Sequence, residues 1–311
     1  MSESEIDSWL ESIGWSNYTI EIASSDASFR QYYRVIKEKK SFILMDSSLQ
    51  IETLTPFIDI NLRLSNAGVH IPEIIHQNLE KGYLILEDLG SQHYFDILNT
   101  TNYKELYQKA IDEIISMQKA DITDIPLYDR EFLIWEMDLM QEWYLEGYLK
   151  KDLNLNEKSI ISKTIDNIAD IVLTQPSGVF VHRDFHSRNI MVTPDNDIAV
   201  IDFQDARVGA ITYDLVSLLK DAYIEFDPIE IEKLALYYKD KKKIKVDDAI
   251  FIKWFDFMGL QRHIKVLGIF ARLYIRDQKD NYLKDIPLVK KYILETAIKY
   301  EETKGLVEVL R

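Results

Sequence analysis

His182-Arg183-Asp184 is followed after four residues by Asn189, and a further carboxylate, Asp202 in Ile201-Asp202-Phe203, lies a short way downstream. Those residue types at those separations suit phosphoryl transfer. Asp184 would accept the proton of an attacking hydroxyl, while the Asn189 amide oxygen and the Asp202 carboxylate would hold Mg²⁺ against phosphate oxygens. A bare match of this kind is expected by chance in roughly one such chain in several hundred, so its surroundings decide its meaning. They consist of two apolar runs, Asn189-Ile190-Met191-Val192 and Ile198-Ala199-Val200-Ile201, joined by the turn Pro194-Asp195-Asn196-Asp197. That pattern predicts a β-hairpin with Asn189 and Asp202 at its open ends, in reach of one metal ion.

The elements that must position this hairpin follow from periodicity. Ile6, Trp9, Leu10 and Ile13 predict a short leading helix closed by Gly14. Three strands are expected over 18–22, 29–37 and 41–45, a helix over 52–67 ending at Gly68, and two more strands over 74–77 and 83–86. The loop Ala23-Ser24-Ser25-Asp26-Ala27-Ser28 lies where a phosphate-cradling glycine loop would sit, and it contains no glycine. Ser25 and Ser28 offer hydroxyl donors there instead. The Glu87-Asp88-Leu89-Gly90 stretch then breaks the pattern, and Glu87 and Leu89 are placed to offer backbone groups to a nucleotide base. A lobe boundary is expected here, dividing residues 1–89 from 90–311. Beyond it, helices are predicted over 103–119, 132–150, 156–174, 212–224, 229–239 and 249–276, with Lys239 to Lys245 as a solvated loop. The expected fold class is therefore α+β: a two-lobed, protein-kinase-like fold. Its small lobe would carry a five-stranded antiparallel sheet, and its larger helical lobe the catalytic β-hairpin.

Composition narrows the chemistry. The chain has 311 residues, 47% of them hydrophobic, enough for two cored lobes. It has no cysteine, which excludes disulfides, thiolate metal sites and cysteine nucleophiles. A formal charge of -15 argues against a nucleic-acid partner, and ATP would have to enter with Mg²⁺ and a local basic patch. The acidic N-terminus lacks the features of a secretory signal and no uncharged apolar run reaches membrane-spanning length, so a cytoplasmic monomer with no membrane partner is expected.

The text HRDFHSRN followed by IDFQDARVGAITYDLVSLLKDAY resembles the aminoglycoside phosphotransferase-like kinases, which share the protein-kinase architecture and phosphorylate small molecules. Within them, WFDFMGLQRHIKVLGIFARLYIRDQKDNY (254–282), SSDASFRQYYR (24–34) and EMDLMQEWYL (136–145) are similar to the bacterial anomeric sugar kinases of cell-wall recycling, which act on N-acetylmuramate and N-acetylglucosamine. The likeness spans nearly the whole chain. It implies ATP-dependent phosphorylation of the C1 hydroxyl of an amino sugar. Competing readings are a kinase of the same fold acting on choline, ethanolamine or an aminoglycoside, and a nucleotide-binding pseudokinase that only scaffolds partners.

One departure from the kinase pattern stands out. Met45 occupies the third-strand position where most kinases carry a phosphate-binding lysine. Arg30 and Arg34, flanking the serine loop, are the nearest cations in sequence and are expected to supply the missing charge. For the acceptor, Trp143, Tyr144, Gln261, Arg262 and His263 are candidates, with Arg262 the natural partner of muramate's carboxylate and Arg207 its rival. His186 would touch the acceptor or bond within the loop. Asp205 would hold the acceptor or brace the loop, and Asp214 would cap a helix or serve as a partner for Arg183.

Overall fold

The computed structural model describes residues 3–24 and 30–311, so Ser25 and Ser28 lie outside the described residues. Helix α1 (Glu3–Ser12) leads into β1 (Tyr18–Ser24), β2 (Gln31–Lys37) and β3 (Lys40–Asp46), followed by α2 (Leu54–Asn66), β4 (Ile74–Asn78) and β5 (Tyr83–Glu87). The strands form one antiparallel sheet in the order β1-β2-β3-β5-β4.

Strand alternation gives this sheet two different faces. Val35, Leu44, Tyr83 and Ile85 pack under α1 against Ile6, Trp9 and Leu10, with Trp15 closing the cluster. The opposite face carries Met45, Leu84 and Leu86, which join Leu54 and Phe57 of α2 in the main core. Tyr32 pairs with Met45 and Arg34 with Ile43 across β2 and β3, so Arg30, Tyr32 and Arg34 share this second face. Met45 itself is fully buried. An apolar thioether suits that position and an ammonium group would not.

The chain leaves the sheet at Glu87 and adds a short strand, β6 (Gln92–His93), to the predicted hairpin, β8 (Ile190–Val192) and β9 (Ile198–Val200), in the order β6-β8-β9. Leu89 packs on Met191, Ala199 and Ile201 of that hairpin. Around it lie α3 (Tyr94–Ile97), α4 (Tyr103–Met117), α5 (Arg130–Leu139), a π-helix (Met140–Tyr148), α6 (Leu155–Val172), α7 (Tyr213–Leu219), α8 (Pro228–Lys241), α9 (Asp248–Asp277), α10 (Ile286–Ala297) and α11 (Gly305–Leu310). A ribbon of β7 (Ser177–Val181) and β10 (Arg207–Ala210) brackets the catalytic segment on both sides and had no strong sequence signal. Caps explain several helix starts. Asp129 accepts from Phe132 N–H, Asn154 and Glu157 form a capping box, and Asp227 precedes Pro228 at the first turn of α8.

Three boundaries differ from expectation. Helix α7 stops at Leu219 because Asp221 turns back to accept the N–H groups of Ser187 and Tyr223. The predicted 132–150 helix changes to π geometry at Met140. Lys239 and Lys241 are helical, not part of a solvated loop, and Lys239 is buried against Asp248 at 2.6 Å. Among the described residues, no helix is long and apolar enough to cross a membrane.

Helix α9 runs through the centre of the larger lobe and touches the π-helix closely at Gly268. A Cβ there would lie 2.4 Å from the Leu139 carbonyl carbon and 2.6 Å from Met140 N, which are backbone atoms that cannot swing aside. Gly268→Ala is therefore expected to destabilise the protein by about 2–3 kcal/mol, measured by urea unfolding. An unchanged midpoint would show that the two helices slide apart freely.

Candidate active site

The hairpin places the three predicted groups together. Asn189 donates through Nδ2 to the Asp184 carbonyl at 3.0 Å and to Asp202 Oδ2 at 3.3 Å. Its Oδ1 and the Asp202 carboxylate thus lie within reach of one cation, and Gln204 steadies Asp202 Oδ1 at 2.8 Å. Two hard oxygen donors fit Mg²⁺, which keeps several waters and takes phosphate oxygens as further ligands. Among the described residues no cluster of three His, Asp or Glu offers a cage made by protein alone. Asp202 adopts φ 65° and Arg183 φ 78°, left-handed backbone for non-glycine residues. Such strain is held only where the surroundings impose it.

Those surroundings are specific. The carboxylate of Asp214 accepts the N–H of His182 at 2.8 Å and of Arg183 at 3.0 Å, and burial raises its pKa to about 6. It is therefore Arg183's partner, through the backbone. His182 Nε2 bonds the Ile201 carbonyl at 3.0 Å and its Nδ1 accepts Asp184 N–H at 3.3 Å, tying the loop that carries Asp184 to the strand that leads into Asp202. Phe203 packs on Phe57 of α2 at 5.0 Å between ring centroids, which links the segment after Asp202 to the smaller lobe.

Beneath the loop sits a charged cluster. Glu136, 1% exposed, accepts from Arg183 at 2.8 Å, Lys265 at 3.2 Å, Gln261 at 3.1 Å and the Tyr128 hydroxyl. Burial acts to raise the Glu136 pKa, and Lys265 and Arg183 overcome it, holding the group below its ordinary value. Two cations share one anion here. Burial likewise works to raise the pKa of Asp184, but the field of Lys265, His186, Arg262 and Arg183 holds it at about 2. Asp184 is thus ionised at neutral pH, as a group that orients and accepts from a hydroxyl must be.

The cleft between the sheet and the hairpin has a volume of about 530 Å³, within the range of small-molecule sites. Arg30, Arg34, Glu87, Leu89, Asn189 and Asp202 all line it. Arg34 is engaged there: it pairs with Asp88 at 2.6 Å and 3.1 Å and donates to the Gly90 carbonyl at 3.1 Å. Arg30 donates to the Thr53 carbonyl at 3.3 Å and lies over Phe57.

The acceptor candidates separate by helical phase. Gln261 and Lys265, four residues apart on α9, face Glu136, while Arg262 faces Ser217 and adds to the positive field at Asp184. Arg262 donates Nε–H to Ser217 at 2.6 Å and leaves a buried terminal nitrogen without a partner. His263 falls on another side of the helix. It bonds the Lys220 carbonyl at 2.9 Å and stacks on Tyr292, while burial lowers its pKa to about 3, so it serves packing and is not brought to the loop. Trp143 is half-buried and packs on the helical core, in which Tyr144 is buried. Asp205 braces the loop through its carbonyl, which accepts from Arg183 at 3.2 Å, while its side chain is exposed. Arg207 is occupied by stacking on Phe132 and a 2.8 Å bond to the Leu127 carbonyl. His186 is half-buried beside Tyr223, with a buried Nδ1 lacking a partner.

Sequence reasoning passed over Glu136, Lys265 and Arg188. A signal existed for each. Glu136 and Lys265 fall within the segments 136–145 and 254–282, and Arg188 lies inside the motif itself.

This arrangement puts the protein among phosphotransferases built on the two-lobed kinase fold. The chain belongs to the phosphotransferase enzyme family APH, whose model matches residues 19–246. It is 40% identical to an N-acetylmuramate/N-acetylglucosamine kinase of Pseudomonas aeruginosa over 89% of this chain and 82% of that protein. It is 34% identical to an N-acetylmuramate/N-acetylglucosamine kinase of Neisseria meningitidis over 98% of this chain and 94% of that one. Among solved structures, a choline kinase from Streptococcus pneumoniae superposes with a TM-score of 0.67 at 14% identity, covering 94% of this chain and 99% of that one. An ADP-bound aminoglycoside phosphotransferase gives 0.63 at 15% identity, covering 99% of both chains.

Proposed function

We propose that the protein transfers the γ-phosphoryl group of ATP to the anomeric C1 hydroxyl of N-acetylmuramate or N-acetylglucosamine, a step of cell-wall recycling. The observation that carries this reading is the pair of relatives bearing that sugar-kinase name, similar over almost the whole of both chains. The juxtaposition of Asp184, Asn189 and Asp202 supports catalysis over a pseudokinase role. Residues 1–89 would form the nucleotide lobe, with Glu87 and Leu89 at the base, and residues 90–311 the catalytic and acceptor lobe.

In the reaction the bond between the β-γ bridging oxygen and Pγ breaks and a bond from the sugar O1 to Pγ forms. ADP leaves with the electron pair, and the hydroxyl proton passes to Asp184 and then to solvent. An anomeric hydroxyl is more acidic than an ordinary alcohol, which suits a carboxylate held as ionised as Asp184. Asn189 and Asp202 would hold Mg²⁺, whose chemistry is to neutralise phosphate charge that this acidic protein cannot. Arg262 would read a muramate carboxylate; its unpartnered buried nitrogen supports this reading.

The test is incubation with ATP, Mg²⁺ and N-acetylmuramate, N-acetylglucosamine, choline or kanamycin, with the phosphate located by NMR. Phosphate on C1 of an amino sugar is expected. Phosphate only on a non-anomeric position, or only on choline or kanamycin, would overturn the reading. Arg262→Met is expected to raise KM for N-acetylmuramate about tenfold or more while changing that for N-acetylglucosamine much less, since only the former loses a charged partner. Equal losses on both sugars would remove Arg262 from carboxylate recognition.

A further inference from the structure

Met45 leaves the nucleotide cleft without the usual third-strand lysine, and of the two arginines expected to replace it Arg34 is neutralised by Asp88. A third arginine lines the same cleft. Arg188, immediately before Asn189 and four residues after Asp184, is half-buried and borders the cleft together with Asn189 and Asp202. Its guanidinium lies 3.6 Å from the centroid of the Tyr223 ring and 4.8 Å from that of Phe95. Among the described residues it makes no hydrogen bond and no ion pair within 4 Å, and its field reaches the carboxylate of Asp285.

The two rings are themselves fixed to the catalytic loop at the adjacent residue. Phe95 donates its N–H to the Ser187 carbonyl at 3.0 Å. Asp221 accepts the Ser187 N–H at 2.9 Å through one oxygen and the Tyr223 N–H at 3.0 Å through the other. The two rings stand at 83° to each other, so the guanidinium lies close over Tyr223 and beside Phe95 in the corner they form, and packing there costs it rotational freedom. Here that freedom is removed by groups in register with Asp184. Such a cation is preorganised for an anion arriving in the cleft beside the metal-side residues.

We propose that Arg188 is a catalytic residue that binds the γ-phosphoryl group of the nucleotide and stabilises its charge during transfer. This rests on the kinase reading above, and its first readout needs no acceptor. Calorimetry would compare a non-hydrolysable ATP analogue with ADP, both with Mg²⁺, on the intact protein and on Arg188→Met. The variant is expected to bind the ATP analogue about tenfold more weakly or worse and ADP within about twofold of the parent. Equal affinity for the ATP analogue in parent and variant would overturn the assignment, and so would a matching loss for ADP.

The second readout uses transfer to both sugars. A group acting on the phosphoryl should lower kcat about 100- to 1000-fold with N-acetylmuramate and N-acetylglucosamine alike, with Arg188→Lys recovering part of the loss. A loss confined to N-acetylmuramate would place Arg188 on the acceptor's carboxylate and refute the proposal. If the parent transfers phosphate to neither sugar, the sugar-kinase reading fails while the nucleotide comparison still decides Arg188. Retention of the parent's unfolding midpoint by Arg188→Lys controls for folding.

Discussion

Asp184→Asn is expected to lower kcat at least about 1000-fold while leaving the affinity for Mg²⁺-nucleotide within a few fold. The substitution keeps the shape of the side chain and the backbone bonds that Asp184 makes with Asn189 and His182. What it removes is the negative charge that the Lys265, Arg262 and Arg183 field keeps in place, and with it the group proposed to accept the hydroxyl proton. Single-turnover assays with the preferred sugar, alongside nucleotide titration, separate the two effects. Turnover at more than a tenth of the parent's rate would dismiss Asp184 as the base.

Glu136→Gln should produce the largest loss of stability, about 3–5 kcal/mol by urea unfolding, because it leaves Arg183 and Lys265 buried without their shared anion. The shape is again preserved, so the cost is electrostatic. A charge argument makes a sharper demand on the double variant. The parent cluster carries two cations and one anion, Glu136→Gln leaves two cations, and Glu136→Gln with Lys265→Met returns to one excess positive charge. The double variant is therefore expected to be more stable than Glu136→Gln alone, although it carries one more substitution. A double variant less stable than the single would mean that Lys265 is there for packing and not for charge.

Much of the site was legible because catalysis by this loop needs a fixed spacing along one short hairpin. Asp184, Asn189 and Asp202 are close in sequence, and an antiparallel hairpin with a tight turn brings its ends together whatever surrounds it. The five strands and the leading helix were legible for a similar reason: their apolar residues alternate or recur at helical spacing, and the register then follows from one-sided burial. The β7–β10 ribbon was not, since its two strands are separated by the whole catalytic segment and pair only through tertiary contact. Nor could the helical change at Met140 be read, because π geometry there accompanies the close approach of α9 at Gly268.

The roles of single side chains divide in the same way. The segment 254–282 marked the region that reaches the loop, but which residues do so depends on the phase of one long helix. Gln261 and Lys265 face Glu136, Arg262 faces Ser217, and His263 bonds the Lys220 carbonyl. A shift of one residue on a helix is 100° of rotation, which composition cannot report. Arg34 and Arg188 are both arginines bordering the cleft; only the fold showed that Asp88 neutralises the first and that two aromatic rings hold the second.

The sequence by itself pointed to the reaction class, through Asp184, Asn189 and Asp202 at separations that a local hairpin converts directly into geometry. It also determined the two-lobed architecture, through periodicities that depend on neighbours in the chain. The tertiary structure alone decided which charges remain available, since neutralising a cation or burying it under a loop takes partners from distant segments. Glu136, Asp214 and Lys265 come from three such segments, and together they decide the charge and shape of the loop that carries Asp184.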